Sequence, residues 1–357
     1  MAKIKMSTMF IVFIAGFFIA AENSLAAPSI SGVSGTVSDG QSVIISGSSF
    51  GTKATAAPNL WDTVSNKYSL SNGATIPTGG SYPWEENGYY APTGGTKFDS
   101  TAGDQRDIHS AACYKATGDD PTLRGHLVSG ATELYISWWA KFTASTMGAD
   151  QSSKFMRLNG NPYTGDAGNR TFSWDPSAGN YVFDNAYCPT PTGNDNDLGD
   201  SQWHFLEVYA NQSSLKTLTM RTDGVTTTLN SSGCGSWNWD YVWLMGFDRG
   251  GTSPTNPTVY MDQIYIDNTR ARVMIGNAST YAASGHFEMQ PPTAWNSNGQ
   301  SVTATVNQGS FANGATAYVY VVDSTGAVNA NGYAVTFGSG GGGDTTPPAS
   351  PTGLSVS

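Results

Sequence analysis

The sequence predicts an all-β protein assembled from antiparallel sandwiches. Two observations predict it. The first is composition: 42 Gly, 17 Pro, 17 Tyr and 10 Trp stand among 357 residues, of which only 12% are charged, about half the ~25% usual for soluble domains. The second is periodicity. Short runs that alternate apolar and polar residues recur along the chain, bounded by Gly, Asn, Asp, Ser and Pro. That is the pattern of strands joined by tight turns rather than of amphipathic helices.

Residues 1–26 read as an export signal. Lys3 and Lys5 supply a positive start, Met9 to Ala21 is an apolar run, and Ser24-Leu-Ala26 fits a small-x-small cleavage site. Glu22 and Asn23 end the run short of the ~20 residues that a membrane span needs. The mature chain is therefore expected to be secreted or held at the cell surface. Two short strands follow, Pro28-Ser-Ile-Ser-Gly-Val-Ser-Gly35 and Gly40-Gln-Ser-Val-Ile-Ile-Ser-Gly-Ser-Ser-Phe-Gly51. The segment Asn59 to Arg124 is rich in Gly, Ser and Thr and supplies further strands with long loops.

Strands then come thickly. In Leu134-Tyr-Ile-Ser-Trp-Trp-Ala-Lys-Phe142 one face carries Leu134, Ile136, Trp138, Ala140 and Phe142, and the other Tyr135, Ser137, Trp139 and Lys141; this predicts a strand with one face in a core. Strands are also expected at Lys154–Leu158, Thr171–Trp174, Tyr181–Phe183, Trp203–Ala210, Leu218–Arg221, Val225–Leu229, Tyr241–Phe247 and Thr258–Asp267. About ten strands over roughly 210 residues suit a two-sheet jelly roll. The opening pattern resumes at Arg270-Ala-Arg-Val-Met-Ile-Gly276 and runs through Trp295 and Val306 to Tyr333-Ala-Val-Thr-Phe337. Gly338 to Gly343 reads as a flexible linker by composition.

Three resemblances rest on these phrases. The two opening strands, with their Gly-Ser-Ser-Phe-Gly turn, resemble the start of an IPT/TIG immunoglobulin-like module that the stretch from 270 would complete. Tyr135-Ile-Ser-Trp-Trp-Ala-Lys-Phe142, Lys154-Phe-Met-Arg-Leu158, Gln202-Trp-His-Phe-Leu-Glu-Val-Tyr209, the Asp223-Gly224 hairpin and Val259-Tyr-Met-Asp-Gln-Ile-Tyr-Ile-Asp267 follow one another. That succession resembles the concanavalin A-like jelly rolls of bacterial polysaccharide lyases and laminin-G-like domains. Asp344 to Ser357 resembles the first strand of a fibronectin type III module. The resemblances imply a jelly-roll β-sandwich at 53–269 inserted into a discontinuous immunoglobulin-like β-sandwich at 27–52 plus 270–338. Residues 339–357 would be a linker and the start of a further module.

Function is expected in the insert. Gly235-Ser-Trp-Asn-Trp-Asp-Tyr-Val-Trp243 spaces four aromatic residues two apart, on one face of a straight strand. Trp237 and Trp239 read as a platform for sugar rings, and Trp243 as core. Lys154 and Arg157 have odd spacing and so occupy opposite faces; either can read as a solvated charge or as a partner for a uronate carboxylate. Trp174 and Arg249 are further candidates for the same concave sheet. Of the four histidines, His109, His126, His204 and His286, His204 with Tyr209 is the candidate acid–base pair, set against a structural role for His204.

Asn194-Asp-Asn-Asp-Leu-Gly-Asp200 gathers hard oxygen ligands apt for Ca²⁺, so Asp195 and Asp197 are candidate ligands. The resemblance adds Asp262 for a structural calcium. Cys113, Cys188 and Cys234 predict one disulfide and one free thiol, with Cys188–Cys234 preferred and the pairing open.

The net charge of −10 speaks against nucleic acid or an anionic membrane as partner. Serine-hydrolase elbows, zinc-type His/Glu spacing and phosphate loops are all lacking from the sequence. The reading that follows is a secreted or surface carbohydrate-binding protein, adhesion- or lectin-like, with a polysaccharide or cell-surface glycan as partner. The alternatives are a polysaccharide lyase acting on uronic-acid polymers by β-elimination, and a structural spacer of a surface fibre.

Overall fold

The computed structural model describes residues 26–88, 95–117, 122–126, 130–143, 156–159, 170–175, 180–182, 192–194, 198, 200–211, 216–231, 241–244, 258–338 and 340–341. Among them helical structure is confined to short 3-10 turns such as Tyr281–Ala283. The chain opens with β1 (Ser29–Thr36) and β2 (Ser42–Ser48). Next come β3 (Leu60–Asp62), β4 (Glu86–Asn87), β5 (Lys97–Asp99), β6 (Cys113–Ala116), β7 (Leu123–His126), β8 (Glu133–Phe142) and β9 (Met156–Asn159). They are followed by β10 (Arg170–Asp175), β11 (Asn180–Val182), β12 (Thr192–Asn194), β13 (Trp203–Asn211), β14 (Lys216–Thr222), β15 (Val225–Ser231), β16 (Tyr241–Leu244) and β17 (Val259–Asp267). The chain closes with β18 (Arg272–Gly276), β19 (Phe287–Gln290), β20 (Pro292–Trp295), β21 (Ser301–Thr305), β22 (Thr316–Val322), β23 (Tyr333–Thr336) and β24 (Gly340–Gly341).

These strands form four sheets. Sheet 1 runs β12-β11-β10-β9-β16-β7-β4, and sheet 2 runs β15-β14-β13-β8-β17-β6-β5 with β3 also on β17. Sheet 3 runs β19-β18-β22-β23, and sheet 4 runs β20-β21-β2-β1-β24. The fold is all-β, a jelly-roll sandwich (sheets 1 and 2) inserted into a discontinuous immunoglobulin-like one (sheets 3 and 4). The discontinuity is visible in one ladder: β2 pairs antiparallel with β21, Ser42 opposite Thr305 and Ser46 opposite Ser301.

Three cores separate the four sheets, and side-chain alternation assigns each strand to them. Between sheets 1 and 2 lie Leu134, Ile136, Trp138, Ala140 and Phe142 of β8, with Leu206 and Val208 of β13 and Val242 and Leu244 of β16. Between sheets 3 and 4, Val33, Val43 and Ile45 pack with Val273, Ile275, Val302, Val319 and Val321. A third core joins the two sandwiches: Tyr135, Trp139, Phe205 and Tyr265 of sheet 2 meet Met274, Phe287, Met289 and Tyr320 of sheet 3.

The sequence predicts one buried face for β8, and the structure buries both. The face of Leu134 and Trp138 is the expected core, whereas Tyr135 and Trp139 are also nearly inaccessible because sheet 3 lies on them. Amphipathic aromatic residues suit either water or a second sheet, so alternation alone could not distinguish these cases. The same holds for β17, in which all nine residues are buried.

Charge is buried with the aromatics, and it is paired. Glu207 receives Arg221 at 3.0 Å and Arg272 at 3.3 Å, and the Tyr135 hydroxyl donates to it at 2.6 Å. The guanidinium of Arg272 also lies 4.1 Å from the Tyr135 ring, and that of Arg221 4.4 Å from the Tyr281 ring. Where the chain leaves and re-enters the jelly roll, buried Lys53 meets Asp267 at 2.7 Å. Desolvation pushes each toward its neutral form, Lys53 down and Asp267 up.

Two turns show how local chemistry sets register. Asp223 (φ 46°) and Gly224 (φ 88°) form the two-residue connection of the β14–β15 hairpin, as an Asp-Gly pair in a primed turn should. At the chain end the glycine run departs from the flexible linker expected: Gly340 and Gly341 pair with Thr36 and Gly35 on the edge of β1. Backbone groups alone make such a ladder, and an edge strand offers them.

Candidate functional site

The outer face of sheet 1 is built from four neighbouring strands. In β16, Val242 and Leu244 point into the core, so Tyr241 and Trp243 take the opposite face. Trp243, read from sequence as core, is buried but on this other side. The ladder sets Trp243 opposite Arg124 of β7 and Arg157 of β9, and Tyr241 opposite His126 and Asn159. Arg124 in turn stands opposite Glu86 of β4. One row across the sheet therefore reads Glu86, Arg124, Trp243, Arg157, and the next His126, Tyr241, Asn159.

The geometry of these rows is specific. The Arg124 guanidinium is buried, bonded to Glu86 at 2.7 Å, and lies 5.3 Å from the Trp243 ring and 5.9 Å from the Tyr241 ring. Tyr241 and His126 stack with ring centroids 4.7 Å apart and planes 18° from parallel. His126 is exposed and Tyr241 half-buried, so this stacked pair is the accessible end of the arrangement. A planar, partly apolar shelf above an anchored cation can receive a sugar ring on its face and a carboxylate or hydroxyl at its edge.

The candidates named from sequence disperse differently. Arg157 pairs with Trp243 in the β9–β16 ladder. Trp174 pairs with Met156 in the β9–β10 ladder. Lys154, Trp237, Trp239 and Arg249 lie outside the described residues, as do Asp195, Asp197, Cys188 and Cys234. Cys113 is a free, buried thiol whose acidity burial suppresses.

His204 and Tyr209 are in sheet 2, away from the rows above. His204 is held between Asp223 (2.7 Å from Nδ1) and Asp200 (2.9 Å from Nε2). Burial opposes its charge, but hydrogen bonds to these two carboxylates outweigh it and push its pKa up to about 9. A charged imidazole with both nitrogens engaged is a brace for the β14–β15 turn, unsuited to abstracting a proton. Burial also raises the Tyr209 hydroxyl, which accepts a hydrogen bond from Asn211, and the ring lies 4.2 Å from the Arg270 guanidinium.

Asp262 is wholly buried at the junction of the sandwiches, accepting from Ser110 Oγ at 2.5 Å and from the Gln263 amide at 2.7 Å. Burial pushes its pKa up to about 7, against the pull of nearby Arg106. Its polar partners here are thus Ser110 and the Gln263 amide, with the Arg106 charge close by. Among the described residues no group of three or more His, Cys, Asp or Glu is placed to hold a metal, and no helix is long and apolar enough to cross a membrane.

Sequence reasoning missed Glu86, Arg124 and His126. Their signal is brief: Leu123-Arg-Gly-His126 puts Arg124 and His126 on one face, in a strand of only four residues within a Gly- and Thr-rich stretch.

No protein-family model and no curated protein matches the sequence. Solved structures similar to it include a cellulose-induced protein, with 14% identity over 49% of this chain and 86% of that one and a TM-score of 0.35. The receptor-binding domain of botulinum neurotoxin type G shares 9% identity over 66% of each chain, with a TM-score of 0.34. An alginate lyase from Pseudomonas aeruginosa shares 11% identity over 48% of this chain and 85% of that one, with a TM-score of 0.33. Likeness at this level says nothing about ligand or reaction.

Proposed function

We propose that this is a secreted or cell-surface carbohydrate-binding protein whose glycan docks on the outer face of sheet 1. One observation carries the reading: the Tyr241–His126 stack is reachable from solvent and sits over Arg124, which Glu86 holds in place. Ring stacking supplies affinity, and the accessible His126 imidazole and Tyr241 hydroxyl offer hydrogen-bond partners for sugar hydroxyls. Single-site binding of this kind is weak, so a surface that displays many chains, each carried on its IPT/TIG-like module, would gain by multivalency. A structural calcium on Asp195 and Asp197 belongs to the same proposal.

The test is a glycan array followed by titration of the best ligand. Tyr241→Ala is expected to weaken binding at least tenfold, the loss of ~1.4 kcal/mol or more, with an unchanged melting temperature. An array with no ligand, or with none whose binding weakens on Tyr241→Ala, overturns the proposal.

A second reading is favoured by the same cluster. His126, Tyr241 and Arg124 bring an imidazole, a phenol and a cation to one face, the residue types that proton abstraction beside a carboxylate needs. If the protein is a lyase, absorbance from unsaturated product ends grows with time on a uronic-acid polymer, and His126→Ala abolishes it.

A further inference from the structure

A cleft of about 160 Å³ opens between the two sandwiches, on the side of sheet 2 remote from the face described above. Trp61 and Thr63 of the jelly roll form one wall, and Thr305 and Val306 of the immunoglobulin-like sandwich form the other. Its floor is a reciprocal amide pair. Gln263 Nε2 donates to Asn307 Oδ1 at 3.2 Å, and Asn307 Nδ2 donates to Gln263 Oε1 at 2.8 Å. Each amide nitrogen has a second N–H beyond the one committed to the pair.

The backbone around this cleft is held in costly conformations. Gln263 has φ 52° and lies in a β-bulge of β17, between Asp262 and Tyr265 in the ladder with β8. Val64, next to cleft-lining Thr63, has φ 58°, a genuine outlier for a β-branched residue. Of the five non-glycine residues with positive φ among those described, Gln263 lines this cleft and Val64 follows its lining residue Thr63. Residues held in such conformations concentrate at ligand sites. The Val64 conformation is fastened from both sides: Asp62 Oδ1 accepts its amide at 2.7 Å, and Asn66 Oδ1 accepts the Thr63 amide while Asn66 Nδ2 donates to the Trp61 carbonyl.

The lining chemistry selects a ligand class. Trp61 is partly exposed and offers an aromatic wall. Around it stand amides, hydroxyls and His109, whose Nδ1 donates to the Gly309 carbonyl at 2.8 Å. Among the described residues Nε2 of His109 has no protein partner and can serve a ligand. Among the described residues no Lys or Arg lines the cleft; Asp39 does, and Asp262 lies directly behind Ser110. An anion is therefore disfavoured, while a ring with one apolar face and several hydroxyls fits both the volume and the donors.

We propose that this junction cleft binds a single neutral pyranose unit, independently of the outer face of sheet 1. The test uses the mature chain, titrated with the methyl glycosides of glucose, galactose and mannose and with that of glucuronic acid. Binding is followed by saturation-transfer NMR and tryptophan fluorescence. At least one neutral glycoside is expected to bind saturably, and the glucuronide about tenfold more weakly. Trp61→Ala is expected to weaken binding about tenfold, and Tyr241→Ala to leave it unchanged. Because Trp61 also touches Tyr265, with centroids 6.4 Å apart, Thr63→Phe is the second variant: it fills the cleft without removing a wall and should abolish binding with the melting temperature maintained. Saturable binding of no neutral glycoside, binding that survives Thr63→Phe, or preference for the glucuronide overturns the proposal. Loss of binding on Tyr241→Ala would move the sugar to sheet 1 and overturn it equally.

Discussion

The jelly roll has two outward faces with similar chemistry and opposite fates. On sheet 2, Tyr135, Trp139 and Phe205 stand with Glu207 and Arg221, and sheet 3 covers them all. On sheet 1, Tyr241, Trp243, His126 and Arg124 make a comparable aromatic and cationic row, yet His126 is exposed and Tyr241 half-buried. Aromatic residues interleaved with arginine are therefore no signature of a ligand site by themselves. The distinction lies in how the charges are settled. Glu207 is met by two guanidiniums, one from each sandwich, and by the Tyr135 hydroxyl, and the two guanidiniums lie over the Tyr281 and Tyr135 rings. The sheet 2 face is an internal interface, and the sheet 1 face has an end that solvent reaches.

The comparison can be broken most forcefully at Glu207. Glu207→Ala leaves Arg221 and Arg272 buried without their carboxylate, so it should cost about 3–5 kcal/mol in chemical denaturation. Tyr241→Ala, its counterpart on sheet 1, should cost less than ~1 kcal/mol. Because the core between sheets 2 and 3 belongs to both sandwiches, Glu207→Ala should lower a single unfolding transition. Two separate transitions, only one of them shifted, would mean that the sandwiches are energetically independent. Trp139→Ala probes the same layer by cavity formation, with an expected cost of about 3 kcal/mol or more.

A smaller effect of opposite sign is expected at Asp262. Its pKa is pushed up to about 7 in the folded protein by burial, against ~3.9 in an unfolded chain. The folded state therefore holds a proton that the unfolded state releases, and stability falls as pH rises from about 4 to about 7. Asp262→Asn retains an acceptor for the Gln263 amide and removes the ionisation. It should raise the melting temperature by roughly 2–5 °C at pH 8 and leave it unchanged at pH 4. A variant destabilised at both pH values would show that the carboxylate is wanted charged, paired to Arg106.

Much of the fold was legible because alternation reports burial directly. The five inward residues of β8 are the five read from Leu134 to Phe142, and the Asp-Gly hairpin stands where its turn chemistry demands. What alternation could not reveal is a second covering layer: Tyr135 and Trp139 look the same in sequence whether water or Met274 and Phe287 lie opposite. The candidate site was legible only in part for a related reason. Arg124, His126 and Glu86 come from strands of two to four residues, too short to show a period, and they gain meaning only when the ladder sets them beside Tyr241 and Trp243. His204 had the right residue type in a conspicuous strand, but its two carboxylate partners, Asp200 and Asp223, come from flanking turns and become visible only when those turns fold back.

His204 supplies the mildest and sharpest contrast with Asp262, because its linkage runs the other way. Its pKa stands at about 9 in the folded state and ~6.5 unfolded. The protonated form is thus favoured by folding, and the stabilisation is complete below about pH 6.5 and lost as pH rises through about 9. The carboxylates of Asp200 and Asp223 are 47% and 39% exposed, so solvent screening reduces the pair to about 1 kcal/mol. His204→Gln should therefore lower the melting temperature by about 2–4 °C at pH 6 and by almost nothing at pH 10, while leaving glycan binding intact. Should binding or turnover vanish at a pH where the variant is fully folded, His204 would have to reach substrate, and the face of sheet 1 would no longer be the working surface of the jelly roll.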